Sequence, residues 1–157
     1  MLWFILVLYM LVLTKMVLFK GSAHYIKYQL ANHHYTWKSI RANAKHANYT
    51  PFATISLYLR SNQGREYAMQ NIGGNIAGFI PFGVLLALLF RRLRNAWYII
   101  GLTLLLSLLF ETTQLITGLG IFDVDDLMLN TLGGLLGYCI FVIFFRNTVV
   151  QKPSLSS

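Results

Sequence analysis

The sequence is short of charge, and of negative charge above all. Only 11% of its 157 residues are charged and 56% are hydrophobic, whereas roughly a quarter of the residues are charged in a typical soluble domain. This composition is typical of integral membrane proteins. It argues against an ordinary water-soluble domain.

Cysteine is almost absent, and no nucleic-acid-binding motif occurs. Cys139 is the single cysteine, so an internal disulfide is excluded. The net charge of +8 comes from 13 Lys and Arg against 5 Asp and Glu. In a membrane protein this excess favours contact with anionic headgroups or cell-wall polyanions. We therefore expect membrane lipids as partners and no nucleic acid.

Four long apolar runs are present, at residues 2–19, 72–90, 96–117 and 127–145. A membrane span needs roughly 20 mostly apolar residues. The sequence therefore predicts an all-α membrane protein, a bundle of about four transmembrane helices with a polar, partly helical loop between the first two.

These runs divide the chain into four parts. We assign residues 1–19 to an N-terminal transmembrane anchor, 20–70 to a polar interfacial loop, 71–145 to a three-helix transmembrane core and 146–157 to a C-terminal tail. The first run is alternatively a signal peptide, because Gly21, Ser22 and Ala23 resemble a cleavage site. No basic segment precedes it, which favours an uncleaved anchor.

The loop contains one segment with a helical pattern. Thr50 is expected to be an N-cap, with Pro51 at the first helical position. Phe52, Ile55 and Leu59 then share a face, which predicts a short helix lying on the bilayer or on the other spans.

All four histidines also lie in the loop, at spacings that match no metal-ligand pattern. Solvated or interfacial histidines are the expectation, with metal binding as the alternative. We predict no metal and no cofactor. The histidines are His24, His33, His34 and His46.

The distribution of basic residues predicts the orientation. The turn RRLRN at 91–95 carries three arginines next to the membrane, and Arg146 and Lys152 follow the last span on the same side. The loop carries seven basic residues, but the local density of the turn favours its side as cytoplasmic. We expect both termini inside and the loop outside.

Polar residues recur at one depth in the last three runs. In an up-and-down bundle the start of the second span, the end of the third and the start of the fourth share one membrane face. With a rise of about 1.5 Å per residue, the polar groups of these three segments reach the same level. They are our candidate ligand-binding residues: Asn71, Asn75, Glu111, Gln114, Asp123, Asp125, Asp126 and Asn130.

Glycine spacing predicts how the second and fourth spans pack. GNIAG at 74–78 and GGLLG at 133–137 contain two small residues four positions apart, a pattern that lets helix backbones approach closely. We expect these spans to pack together with the polar side chains near their seam, and Glu111 to face that seam.

Each part of this polar set also has a structural explanation. Asp123 and Asp126 have the spacing of an N-cap and a first-turn acid. The amide side chains are explained equally well as hydrogen bonds between helices. Glu111 differs, because an ionisable group inside a span is a functional-site hypothesis by default.

Four stretches in this order resemble the VanZ-like family, to which teicoplanin-resistance proteins belong. They are NYTPFATI (48–55), NIGGNIAGFIPFGVLL (71–86), LLFETTQL (108–115) and FDVDDLMLNTLGGLLGY (122–138), and MVLFK (16–20) is similar to the end of the family's first span. The motif residues would be Asn71, Asn75, Phe79, Pro81, Glu111, Gln114, Asp123, Asp126 and Asn130. Many members carry an arginine shortly before the aspartates, where this sequence has Leu119, Gly120 and Ile121.

The resemblance implies a multi-pass protein of the bacterial plasma membrane that lowers susceptibility to teicoplanin-type lipoglycopeptides. We expect a polar headgroup-binding site between helices, with the antibiotic or a cell-wall lipid precursor as partner. One alternative is a Mg²⁺-dependent membrane enzyme acting on a lipid-linked phosphate, because four carboxylates lie at one depth. A scaffold or transport role is a further alternative.

Overall fold

A computed structural model describes residues 1–32, 36–60 and 65–147, without the side chains at positions 58 and 65–68. Two of the four loop histidines, His33 and His34, lie outside the described residues. Lys152 and the tail from position 148 onward do as well.

The described residues form seven α-helices and no strand, so the all-α prediction is confirmed. A 3-10 turn (Arg91–Leu93) joins α5 to α6, and α7 continues into a π-helical turn (Phe141–Phe145). The helices are α1 (Leu2–Leu18), α2 (Ala23–Asn32), α3 (Trp37–His46), α4 (Ala53–Arg60), α5 (Arg65–Leu89), α6 (Ala96–Thr117) and α7 (Val124–Ile140).

Three segments of the described chain are long and apolar enough to cross a membrane: Met69–Leu89, Ala96–Thr117 and Val124–Phe145. Helices α1 and α2 meet the same criteria only as a pair, and they are bent by 84° at the break between them. The chain is therefore an all-α membrane bundle with three to four candidate spans. Which side of the membrane each end occupies stays a prediction.

Two helix ends follow the local rules of capping. Asn95 precedes α6, and its side chain accepts a hydrogen bond from the N–H of Trp97 at 2.9 Å. Gly118 ends α6 with a φ of 68°, and its N–H donates to the carbonyl of Gln114. Glycine adopts this left-handed conformation without the steric cost of a side chain. The chain thus reverses sharply between α6 and α7.

The predicted start of the loop helix is wrong. Helix α4 begins at Ala53, and the carbonyl of Phe52 accepts its first intrahelical bond. Thr50 is therefore not the N-cap, and Pro51 is not the first helical residue. Phe52 has a φ of 64°, which is uncommon for a bulky residue. A carboxylate from α7, described below, supplies the acceptor that Thr50 was expected to provide.

Helices α5 and α7 pack backbone to backbone, as predicted, but through a partly different set of glycines. A Cβ atom on Gly133 would meet the carbonyl of Ile76, and one on Gly83 would meet the carbonyl of Gly134. Gly74 faces open space, and Gly78 faces Leu13 of α1. The stretch 74–78 thus does contribute to the seam with the fourth span, through the backbone of Ile76 and the side chain of Asn75, but its two glycines do not face that span.

The apolar core lies where α1, α5 and α6 meet. Leu13 and Val17 of α1 pack with Phe79 and Phe82 of α5 and with Phe110 of α6. The rings of Phe79 and Phe110 meet edge to face, with centroids 6.4 Å apart. Helix α5 runs through Pro81 without a break.

Candidate functional site

Glu111 lies inside the bundle and not at the lipid surface. It is fully buried, and its Oε2 accepts a hydrogen bond of 2.8 Å from the N–H of Asp123. That N–H belongs to the residue before α7, where backbone donors lack intrahelical partners. We expected Glu111 to face the seam between the second and fourth spans, and the structure places its carboxylate against the backbone that opens the fourth span.

Two buried acceptors on α6 and α7 have no hydrogen-bond donor among the described residues. They are Oε1 of Glu111 and Oδ1 of Asn130. The amide nitrogen of Asn130 donates to Oγ of Ser107 at 2.8 Å, and Ser107 lies one turn before Glu111 on α6. A buried acceptor without a donor carries a desolvation cost. The α6–α7 contact is thus polar, and two of its buried acceptors have no described hydrogen-bond donor.

Asp123 ties the start of α7 to the loop before α4. Its carboxylate accepts from the N–H of Asp125 at 2.8 Å, from the amide of Asn48 at 2.8 Å and from the hydroxyl of Thr54 at 2.6 Å. Asn48 and Asp123 also form an isolated parallel bridge through their backbones. Asp123 is therefore the predicted N-cap, but it also anchors the loop.

Asp125 caps a different helix from its own. Its two carboxylate oxygens accept hydrogen bonds from the N–H groups of Phe52 and Ile55. These are the cap and first-turn donors of α4, which otherwise lack intrahelical partners. Asp125 is 1% exposed. By accepting these two hydrogen bonds, its carboxylate holds α4 against α7.

Asp126 is the third aspartate at the start of α7, and it contacts Lys20 and Asn75. Lys20 Nζ lies 3.1 Å from Oδ2 of Asp126 and 3.2 Å from Oδ1 of Asn75. The amide nitrogen of Asn75 donates to the other oxygen of Asp126. Each of the three residues thus contacts the other two, and they connect α7, α5 and the end of α1.

This triad lies beside a cleft between α1 and α5. The cleft has a volume of about 260 Å³. Its inner wall is apolar, and its outer part carries amide side chains and one lysine. The described residues that line it are Leu13, Met16, Val17, Lys20, Gln70, Asn71, Gly74, Asn75, Gly78 and Phe79.

Gln114 points away from the aspartates and towards α1. Its amide nitrogen donates to the carbonyl of Val17 at 2.9 Å. Val17 lies in the last turn of α1, where carbonyls lack intrahelical donors. A Cβ atom on Gly120 would collide with the Gln114 side chain. Gln114 therefore holds the end of α1 against α6.

The eight predicted residues form one connected region but not one pocket. Asn71 and Asn75 line the cleft, and Asp126 is linked to it through Asn75 and Lys20. The other five lie in the contacts among α1, α4, α6 and α7 described above. Whether any of them binds a ligand stays a prediction.

Sequence reasoning missed two important polar partners, Lys20 and Asn48. Lys20 supplies a cation beside Asp126, although the sequence has no arginine shortly before the aspartates. A basic residue after an apolar run is ordinarily explained by lipid headgroups, and the available signal for Lys20 was its place in the MVLFK stretch (16–20). Asn48 lies inside the NYTPFATI stretch, which was the available signal for it.

The geometry does not favour the Mg²⁺ alternative. The described residues contain no group of three or more His, Cys, Asp or Glu side chains arranged to hold a metal ion. Glu111 and Asp123 direct carboxylate oxygens at backbone N–H groups at the start of α7, whereas Asp125 directs its oxygens at N–H groups at the start of α4. A shared Mg²⁺ would require these oxygens to converge.

Comparison with known proteins agrees with these motifs. The sequence model of the VanZ/LLP1 family matches residues 6–145. Protein VanZ of Enterococcus faecium is 39% identical over 67 residues, which cover 43% of this chain and 41% of that protein. The match thus spans less than half of the curated relative. No solved structure matches the chain. With most of its length matched by one family, the chain belongs to the VanZ/LLP1 family.

Proposed function

We propose that the chain is a multi-pass protein of the bacterial plasma membrane that lowers susceptibility to teicoplanin-type lipoglycopeptides. It does so without catalysis, by binding a polar headgroup at the mouth of the α1–α5 cleft while the attached chain lies against the apolar wall. The observation that carries this proposal is the position of Lys20, which joins a three-residue polar group to an apolar cleft.

The lining of the cleft supports an amphiphilic ligand. Met16 of the lining is 52% exposed, and it offers apolar surface to an acyl or prenyl chain above the buried side chains of Leu13 and Val17. Gly74 and Gly78 have no side chains, so the cleft has room beside α5. Pockets for small molecules generally combine such apolar walls with a few polar groups that fix orientation.

The triad supports recognition of a polar headgroup. Lys20 has three donor hydrogens, and two described acceptors, on Asn75 and Asp126, receive hydrogen bonds from them. The ammonium group is partly exposed, with 35% of the lysine side chain accessible. Asp126 keeps its hydrogen bond from Asn75 when Lys20 moves. The lysine is thus able to turn towards an anionic or carbonyl group of a ligand.

The site differs from the one that the sequence predicted. It lies between α1 and the second of the long apolar runs, whereas we expected it between the second and fourth runs. The candidate ligands are unchanged, a lipoglycopeptide or a cell-wall lipid precursor. Family membership supports the link to lipoglycopeptides, and the similarity of this chain to Protein VanZ supports it further.

A susceptibility assay with a matched pair of variants tests the proposal. The full chain is expressed in a glycopeptide-susceptible bacterium, and inhibitory concentrations are measured for teicoplanin and for a glycopeptide without an acyl chain. We expect the chain to raise the value for teicoplanin selectively. Lys20→Met should abolish this effect, and Lys15→Met should retain it.

Lys15 is a suitable control because it is an exposed lysine of α1 outside the lining of the cleft. Both variants remove the same charge and add the same side chain. Absence of a teicoplanin effect in the wild type would refute the proposed function. Equal loss in both variants would show that total charge matters and that the cleft does not.

A further inference from the structure

A second cavity lies at the other end of the bundle, where α5 ends and α6 begins. Its volume is about 270 Å³. It is separate from the α1–α5 cleft, and none of the eight candidate ligand-binding residues lines it. The described lining residues are Arg94, Tyr138, Phe141 and Arg146.

Arg94 is held in a fixed position at this cavity. Its Nε donates to the carbonyl of Ala87 at 3.0 Å, and its guanidinium carbon lies 5.5 Å from the centre of the Phe141 ring. The hydroxyl of Tyr138 donates to the backbone carbonyl of Arg94 at 3.2 Å. The side chain is therefore oriented before any ligand arrives.

The contacts of Arg94 leave its two terminal nitrogens unused. No acceptor for their four N–H groups occurs among the described residues. A planar guanidinium presents such groups in the geometry that suits two oxygens of one phosphate. The terminal N–H groups of Arg94 are thus oriented to bind an anion through two of its oxygens.

The described residues at this end of the protein carry positive side chains and no acidic side chain. Arg91 and Arg92 lie in the adjoining turn, and Arg146 lies in the cavity lining. None of the five acidic residues of the sequence falls within positions 67–110 or after position 126. An anion that binds the four arginines among the described residues of this end would therefore not be an acidic side chain of this end.

Aromatic residues place this end at the membrane interface. Trp97 is 78% exposed and Tyr98 is 57% exposed, both in the first turn of α6. Trp3 of α1, 58% exposed, packs edge to face on Phe90 at the same end. Tryptophan and tyrosine are enriched at the level of lipid headgroups.

We propose that this cavity binds the phosphate of an anionic phospholipid from the surrounding leaflet. Arg94 holds two phosphate oxygens, Arg146 adds a second positive charge to the cavity lining, and the Phe141 ring keeps the Arg94 guanidinium in place. Basic pockets between spans are recognised sites for anionic headgroups. The site is independent of ligand binding in the α1–α5 cleft.

Native mass spectrometry of the full, detergent-purified chain tests this site with phosphatidylglycerol and phosphatidylcholine of identical acyl chains. We expect the first phosphatidylglycerol to bind more tightly than phosphatidylcholine. Arg94→Gln and Arg146→Gln should each weaken it by about fivefold, which corresponds to about 1 kcal/mol per basic residue. Phosphatidylcholine binding should not change.

Arg92→Gln is the matched control, because it removes the same charge from an exposed position three residues from the end of α5. It should weaken phosphatidylglycerol binding less than either cavity variant does. Equal weakening by Arg92→Gln would show a diffuse charge effect and overturn the proposal. Competition by inorganic phosphate alone at the same concentration would also overturn it, in favour of a free-phosphate site.

Arg146→Gln keeps the test interpretable if Arg94→Gln misfolds. Replacing Arg94 also removes its hydrogen bond to Ala87, whereas Arg146 is exposed and no described contact of the fold depends on its charge. Loss of lipid preference in Arg146→Gln with an unchanged unfolding temperature supports the site. Retained preference in both arginine variants refutes it.

Discussion

Lys20 and Asp126 lie 3.1 Å apart although 106 positions separate them in the sequence. The pair joins the end of α1 to the first turn of α7, and Asn75 of α5 bonds to both partners. Since both side chains are partly exposed, the pair adds at most about 1 kcal/mol of stability. Its larger effect is to place one cation at the mouth of the cleft.

A side chain that fills the α1–α5 cleft should abolish the teicoplanin effect without lowering the unfolding temperature. A Cβ atom on Gly74 meets nothing within 4 Å, and Gly74 lines the cleft. We expect Gly74→Leu to occupy the space of the ligand's chain and to abolish the teicoplanin effect in the susceptibility assay. Its unfolding temperature should not fall, because leucine favours a helix more than glycine does.

Gly73→Leu is the control for this substitution. Gly73 is adjacent on α5 and is equally open to an added Cβ, but it does not line the cleft. It should keep the teicoplanin effect. If both variants keep it, the ligand does not occupy the cleft.

Removing the Asp125 carboxylate should release α4. Asp125→Ala leaves the N–H groups of Phe52 and Ile55 without their acceptor, and loss of a capping side chain typically costs about 0.5–2 kcal/mol. We expect a lower unfolding temperature and faster proteolysis between Asn48 and Arg60. Asp125→Asn, which retains one acceptor oxygen, should fall between the alanine variant and the wild type. An unchanged cleavage rate in Asp125→Ala would contradict the capping role.

Two variants of Glu111 distinguish a structural role of its carboxyl group from a ligand-binding role. Glu111→Gln keeps an oxygen for the N–H of Asp123 and carries no charge, so we expect an unfolding temperature equal to or above that of the wild type. Glu111→Ala leaves that N–H without an acceptor and should cost about 1–3 kcal/mol. Thermal unfolding in detergent measures both.

The same two variants test the predicted binding role of Glu111. A glutamine variant with intact stability and no teicoplanin effect would place Glu111 in the binding site. A glutamine variant as unstable as the alanine variant would show that the fold needs the charge itself.

The α5–α7 contact should tolerate no side chain at its closest points. A Cβ atom on Gly137 would overlap the backbone carbonyl of Ile80, and such overpacking typically costs about 1–3 kcal/mol. We expect Gly137→Ala to lower the unfolding temperature. Gly101→Ala of α6 is the control, since its Cβ atom meets nothing within 4 Å. It should stabilise the protein by about 0.5–1 kcal/mol, and equal effects at the two positions would argue against the close approach.

Much of the bundle follows from local rules. The apolar runs predicted the three long spans because their length and composition match the bilayer. The burial of Glu111 was predictable as well, since an ionisable side chain facing lipid is costly. The N-cap role of Asp123 followed from its place before an apolar run.

The neighbouring helix that each glycine or polar residue contacts was not predictable in the same way. Glycines at 74–78 and 133–137 have the same spacing, yet only the second set faces the α5–α7 seam. Asp125 was assigned no partner outside its own helix, and it caps α4. Spacing shows which residues share a helix face, but it does not show which neighbour covers that face.

The sequence by itself determined a helical membrane protein with a band of polar groups at one depth, because hydropathy and helix rise act locally along the chain. Only the tertiary structure decided that Lys20 neutralises Asp126 and that the cleft opens between α1 and α5. These pairings join residues that are far apart in sequence, and they depend on how the helices pack against one another.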